Sequence, residues 1–229
     1  MAKYICTRSC QVNRRFYRRG EVRDFASDPG SNFTLFTGDR LGAPRPPHLV
    51  DQDDGTYYFG SLGWDDLKFP FAGFNPPGLV SDPDIDTDDG FPIFDAGSTE
   101  MLVGGAQMPH AWKAGSPIRP HIHWSPTDGN SGNVLWRLEF QLATPGGTFP
   151  GSWTALDVVD AADETADKHQ IASFGQIGMA GMGLSTIMKW RVSRVGGDAS
   201  DTYGDDAKGL EFDIHYQIDS IGSGLEFEK

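Results

Sequence analysis

From residue 91 onward, apolar and polar positions alternate with the period of two that marks strands with one buried face. Val134, Trp136, Leu138 and Phe140 share one side of segment 133–142, with Arg137 and Glu139 on the other. Leu210, Phe212, Ile214, Tyr216 and Ile218 likewise oppose Glu211, Asp213, His215 and Gln217. Such alternation is the pattern of half-buried antiparallel strands. Further strands are predicted at 99–103, 118–124, 153–159 and 185–195. About six to eight strands over roughly 140 residues predict an all-β, antiparallel β-sandwich of jelly-roll type. No repeat of fixed period is present, which argues against solenoids and propellers.

The first 92 residues read differently. Tyr4, Cys6, Cys10 and Val12 fall on even positions, Asn13-Arg14 breaks the run, Phe16-Tyr17 resumes it, and Gly20 breaks it again before Val22 and Phe25. This is a small module of strand, turn, short strand, turn and strand, with too little apolar surface to fold well alone. Residues 26–50 are loop-like. Residues 51–69 carry the aromatic anchors Tyr57, Tyr58, Phe59, Trp64 and Phe69, with a short helical turn predicted at Trp64-Asp65-Asp66-Leu67. Residues 70–92 hold five prolines and five aspartates and predict an extended connection. The expected organisation is a basic β module at 1–50, an extended Pro/Gly/Asp-rich linker at 51–92 and a sandwich at 93–229.

Composition agrees with an all-β chain. Among 229 residues there are 29 glycines and 15 prolines, both poor in helix interiors. No apolar run approaches the roughly 20 residues that span a bilayer, and no apolar signal segment follows the first residues. A soluble protein made in a cytoplasm, with no membrane partner, is expected. The net charge is −13, but residues 1–50 hold nine Lys/Arg against four Asp/Glu. So acidic a chain is a poor nucleic-acid binder as a whole. Its basic residues concentrate at Arg14, Arg15, Arg18, Arg19 and Arg23, which suggests two surfaces with different partners. Cys6 and Cys10, if on one strand, share a face roughly 13 Å apart, too far for a disulfide. Buried thiols are expected.

The sharpest chemical cluster is Pro109-His110 followed by Pro120-His121-Ile122-His123-Trp124. His-x-His on a strand sets two imidazoles on one face, roughly 6.6–7 Å apart along the chain. In a jelly roll this resembles a cupin metal site, to which His110, His215 or Glu139 could add ligands. The stretch lacks a cupin-style Glu after the pair, and Trp112 and Trp124 are bulky enough to fill an interior. The expectation is therefore structural histidines in or beside the core, each satisfying a backbone carbonyl or an Asp, with no metal at His110, His121 or His123 and no cofactor. Asp82, Asp84, Asp86, Asp88 and Asp89 resemble a calcium loop in composition, but neither register puts Gly at position six and Glu at position twelve. A second acidic loop holds Asp198, Asp201, Asp205 and Asp206. Both are expected to be solvated. No nucleophile elbow, phosphate-binding loop or dinucleotide fingerprint is present, and no catalytic residue is assigned.

Several longer stretches are similar to a recurring family of tailed-bacteriophage virion proteins. They are Gln107–Ser116, Ile118–Pro126, Trp136–Phe140, Ser200–Tyr203 with Asp206, and Phe212–Tyr216 through Ser220–Gly224 and Lys229. Lys3–Cys6, Gly20–Val22 and Pro46–His48 resemble a short module near the ends of other phage structural proteins. The resemblance implies a non-enzymatic component of the particle, made in the host bacterial cytoplasm and resident in the virion, whose partners are other virion proteins. The expected role is a head-decoration (cement) protein, homotrimeric, on the major capsid protein. Arg14, Arg15, Arg18, Arg19 and Arg23 with Phe16, Tyr17 and Phe25 form its expected attachment surface. A neck or tail accessory protein on portal or tail components is the alternative within that class. A cupin-like metal enzyme and a carbohydrate-binding adsorption module, signalled by Trp153, Trp64 or Tyr58 exposed on one groove, are the alternatives outside it.

Overall fold

The computed structural model describes residues 63–72, 76 and 78–226 with their side chains, and the backbone of the strands that lie within residues 2–62. The chain divides into two units, Met1–Pro46 and Pro47–Lys229.

In the first unit, β1 (Ala2–Cys6) is the middle strand of a three-stranded sheet, between β4 (Val22–Phe25) and β5 (Phe33–Leu35). β2 (Cys10–Val12) and β3 (Arg15–Tyr17) pair as an antiparallel hairpin. Cys6 closes β1 and Cys10 opens β2, so the two cysteines belong to different sheets and not to one strand.

The second unit is an antiparallel β-sandwich, jelly-roll-like and without helix among the described residues. One sheet runs β10 (Thr99–Gln107), β15 (Ile187–Val195), β12 (Asn133–Ala143) and β13 (Thr154–Ala161). The other runs β14 (Gln170–Ser173), β11 (Ile118–Pro126), β16 (Ala207–Ser220), β7 (Tyr57–Pro70) and β6 (Leu49–Asp51). The short strands β8 (Asp84–Ile85) and β9 (Pro92–Phe94) extend it, β9 pairing with β16 at Ala207 and Lys208.

The alternation read from the sequence decides what lies between the sheets. Val134, Trp136, Leu138 and Phe140 from β12 and Met188, Trp190 and Val192 from β15 are buried, as are Ile118, Ile122 and Trp124 from β11 and Phe212, Ile214 and Tyr216 from β16. Aromatic rings bridge the two layers. Trp124 meets Trp136 at 5.9 Å between centroids and Trp190 meets Phe212 at 4.8 Å, while Phe94 stands edge-on to Trp136 at 5.2 Å. Gly104, opposite Trp190 in the β10–β15 register, leaves the space that this indole occupies.

The sequence reading of 51–92 as linker requires correction over 57–70. These residues form β7, a full member of the second sheet, and the helical turn expected at 64–67 is strand. Leu67 and Phe69 pair with Ile214 and Phe212 and pack on the core, while Trp64, Asp66 and Lys68 alternate outward. The aspartates beside Trp64 suggest a helix start, but burying Leu67, Phe69 and Phe71 outweighs that local preference.

Candidate functional site

β11 carries two alternating faces. Ile118, Ile122 and Trp124 enter the core, so Arg119, His121 and His123 lie on the outer face of the sheet. On β16 the same logic buries Phe212 and Ile214 in the core and turns Asp213 and His215 outward. Antiparallel pairing sets His121 directly opposite Asp213 and Arg119 opposite His215. The register then shifts between His123 and Trp124, which pair with Glu211 and Gly209. Leu210 is the extra residue of this bulge, and its carbonyl accepts a hydrogen bond from the Phe71 N–H at 2.9 Å.

Four imidazoles and two carboxylates gather on this outer face. His121 Nε2 lies 2.6 Å from Asp213 Oδ1, and His123 Nε2 lies 3.2 Å from Asp213 Oδ2. The two Nε2 atoms are 3.1 Å apart. His123 Nδ1 is 2.6 Å from His169 Nε2, and the two rings stack at 4.9 Å. His215 stands edge-on to His121 at 4.4 Å, and its Nε2 is 2.9 Å from Asp66 Oδ1. The side chains of His121 and Asp213 are 8% and 4% exposed, so water has little access to either. Burial works to raise the Asp213 carboxyl; the His121 and His123 nitrogens beside it act the other way and hold it below the usual carboxylate value. Although His121 Nε2 is close, Asp213 Oδ1 is buried without a properly aligned hydrogen-bond donor among the described residues. His121, His123 and Asp213 bring three ligand-type atoms within 4.8 Å of one another, as do Asp66, Asp213 and His215.

The structure sorts the other residues singled out by sequence. His110 is apart from this cluster: its Nδ1 meets Ser223 Oγ at 2.5 Å and its Nε2 meets Ser185 Oγ at 3.4 Å. Glu139 faces outward from the opposite sheet, 3.8 Å from Arg191. His121 and His123 adjoin an Asp, as expected of structural histidines, but on the side of the sheet away from the aromatic core, where Trp124 is buried instead. A cupin would place such a pair inside the barrel. Trp64 is 46% exposed on the outer face of β7, with Arg119 over its ring at 5.2 Å. Trp153 packs under Arg191 at 3.9 Å, on the outer side of the other sheet, so these two indoles do not share a groove. Tyr58 lies outside the described side chains. So do those of Arg14, Arg15, Phe16, Tyr17, Arg18, Arg19, Arg23 and Phe25; Arg15, Phe16 and Tyr17 form β3, and Arg23 and Phe25 belong to β4.

The acidic loops use their carboxylates locally. Asp82 Oδ2 accepts the N–H groups of Gly78 and Leu79 at 2.6 and 2.7 Å. Lys208 Nζ reaches Asp86 at 2.9 Å and Asp89 at 2.7 Å, so an ammonium occupies the place between these carboxylates. Asp201 is wholly buried against Arg194.

Sequence reasoning missed Asp213, His169 and Asp66 as members of the cluster. Asp213 was legible as an outward position of β16, but not as the residue opposite His121. His169 precedes the four-residue β14, whose pairing with β11 has no strong pattern to announce it.

No protein-family model matches this chain, and no characterised protein matches it in sequence. Among solved structures it is similar to the CBM36-1 domain of a multidomain xylanase from the hindgut metagenome of Trinervitermes trinervoides. That match has 12% identity, covers 70% of this chain and 100% of that one, and has a TM-score of 0.36. CBM35 from Cellvibrio japonicus Abf62 matches at 10% identity over 72% of this chain and 99% of that one, with a TM-score of 0.37. A chain of the infectious bursal disease virus Gx strain matches at 12% identity over 84% of this chain and 40% of that one, with a TM-score of 0.34. At these identities and TM-scores nothing about ligand, substrate or partner passes from those proteins to this one.

Proposed function

We propose that this protein is a non-enzymatic structural component of a tailed-bacteriophage virion, a head-decoration protein that stabilises the capsid lattice as a trimer. The observation that carries the reading is that the longer stretches resembling phage virion proteins, from Gln107 onward, belong to one folded unit. Trp112, Trp124, Trp136, Tyr203 and Phe212, all within or beside those stretches, are core residues of the sandwich. A resemblance spread over such positions supports a shared domain over a local motif.

Two features suit lattice attachment. The basic residues concentrate in a small N-terminal unit, while the sandwich is acidic. Leu79 and Val80, at 54% and 107% exposure, present apolar side chains to solvent on the connection before β8. Exposed ion pairs contribute only about 0–1 kcal/mol each and are screened by salt, so attachment needs apolar contacts of this kind too.

The test is localisation in a reconstruction of the particle, with subunit counting by quantitative mass spectrometry. Density for trimers on the capsid surface in a fixed ratio to the major capsid protein is the expected result. Density confined to the neck or tail would replace the decoration role with an accessory one. Absence of the protein from purified particles would overturn the virion reading altogether.

A further inference from the structure

We propose that His121, His123 and Asp213 form a binding site for a divalent first-row transition ion of the zinc class, with His169 as the outer hydrogen-bond partner of His123. The inference rests on the cluster geometry and is independent of the proposed place in a virion.

Three short contacts join His121 Nε2, His123 Nε2 and the Asp213 carboxylate, at 2.6, 3.1 and 3.2 Å. Each ring nitrogen can carry one hydrogen and an ionised carboxylate carries none. Two hydrogens at most are available for three contacts, so at least one pair of electron-rich atoms faces without a proton between. Asp213 Oδ1 shows where the shortage falls, since it is buried and has no aligned donor among the described residues. An unpaired polar atom in such a place is costly. One cation among the three groups replaces the hydrogens between them and accepts one lone pair from each.

Distances and chemistry narrow the ion. Zinc binds imidazole nitrogen and carboxylate oxygen at about 2.0–2.2 Å in a tetrahedron, whose ligand-to-ligand edges are then about 3.3 Å. The 3.1 Å edge between the two Nε2 atoms and the 3.2 Å edge from His123 Nε2 to Asp213 Oδ2 are close to that; the 2.6 Å contact of His121 Nε2 is to the other oxygen, Oδ1, so a turn of the carboxylate must present one oxygen to both rings. Calcium and magnesium prefer all-oxygen shells, whereas two imidazoles and one carboxylate suit zinc and its neighbours.

The surrounding groups agree. A metal on His123 Nε2 requires the ring proton on Nδ1, and that atom is 2.6 Å from His169 Nε2, which can accept it. Such an outer partner fixes the tautomer and orientation of a ligating histidine. His215, edge-on to His121 and paired with Asp66, closes the opposite flank. The exposed Lys68, opposite Asp213 in register, and Arg119, opposite His215, are competing cations on this face. Because His121 and Asp213 are directly paired across strands, a bound ion would cross-link β11 to β16 on the side away from the core.

The experiment uses the full chain, stripped with a chelator and titrated with zinc chloride by calorimetry, with bound metal counted by mass spectrometry. One zinc per chain and a melting temperature that rises with zinc are expected. Cobalt(II) in its place should give the visible absorption of a tetrahedral nitrogen and oxygen site. His169→Ala, at an exposed position, should weaken binding about 10–100-fold. Asp213→Asn and His123→Gln should weaken it further, and His110→Ala should leave it unchanged. Metal-free circular dichroism matching the parent would show that these variants are folded; His169→Ala keeps the test decisive if the buried variants are not. Binding well below one equivalent would overturn the proposal. So would zinc binding unchanged in His169→Ala and Asp213→Asn, or zinc lost only in a Cys6→Ser, Cys10→Ser variant.

Discussion

Arg194 and Asp201 form a salt bridge from which water is entirely excluded. The guanidinium Nη2 lies 2.8 Å from Asp201 Oδ1 and Nε lies 3.0 Å from Oδ2, with both side chains at 0% exposure. The remaining guanidinium hydrogens are also used: Nη2 donates to the Tyr203 carbonyl at 2.5 Å, and Nη1 to the carbonyls of Phe94 and Asp205 at 3.1 and 2.7 Å. Asp201 Oδ2 further accepts the Leu135 N–H at 2.9 Å. One side chain thus ties the loop between β15 and β16 to β9, and through its partner to β12.

Removing either partner strands the other charge in a dry site. Arg194→Met and Asp201→Ala should each destabilise the sandwich by about 3–5 kcal/mol. An isolated buried pair can often be replaced by two apolar residues at little cost. Here the double replacement should stay destabilised, because the carbonyls of Phe94, Tyr203 and Asp205 lose their donors as well. Urea unfolding of the singles and the double decides it. Full recovery in the double variant would show that the ion pair alone mattered.

The Lys208 contacts give the fold a dependence on acid pH. Asp86 is held below its ordinary value of 3.8 by the Asp88 N–H and by Lys208, and Asp89 by Lys208 and the Phe91 N–H. A carboxyl whose folded value is depressed adds stability above its unfolded value and loses it as pH falls through the folded one. Lys208→Met should therefore destabilise the protein at neutral pH and flatten the loss of stability below pH 3.8. Unfolding free energies across that range, parent against variant, test the sign. Equal slopes would mean that Lys208 does not sense these two carboxyls.

Trp190 sets a strict limit on Gly104. A Cβ on Gly104 would fall inside the van der Waals radius of the indole, which is itself packed against Phe69 and Phe212 at 5.5 and 4.8 Å. The ring is buried, so a shift would press on these neighbours. Gly104→Ala should cost about 1–3 kcal/mol through overpacking, and Gly105→Ala, whose Cβ would meet its neighbour at 3.6 Å, much less. Thermal melts of the two variants compare them directly. Parity between them would show that the indole can shift.

What the sequence discloses follows from how locally each feature is encoded. The strands of β12 and β16 are legible because each carries its own alternation. β7 is harder, because aspartates and glycines interrupt it and its inward residues Leu67 and Phe69 find their reason in β16, more than a hundred residues away. The histidine cluster shows the same division. His121 and His123 announce themselves by their spacing, but Asp213 becomes their neighbour through strand register, which no local pattern specifies. The bulge at Leu210 compounds this by shifting the inward and outward positions of β16 on either side of it.

The division of the chain at Pro46 yields a final prediction. β6 begins at Leu49 and pairs with β7 through Leu49, Val50 and Asp51, so a cut after Pro46 keeps that edge intact, whereas a cut after Val50 would break it. The buried core residues described for the sandwich run from Phe71 to Tyr216, within the second unit. A chain lacking residues 1–46 should therefore remain folded, with circular dichroism of β type and cooperative unfolding. Under the proposed function it should also fail to join particles that lack the native protein, since the arginines of the first unit are gone. Cosedimentation with such particles measures the second property and thermal melting the first. Full occupancy by the shortened chain would place attachment in the sandwich. Loss of cooperative unfolding would make the first unit a part of the fold that the sandwich cannot do without.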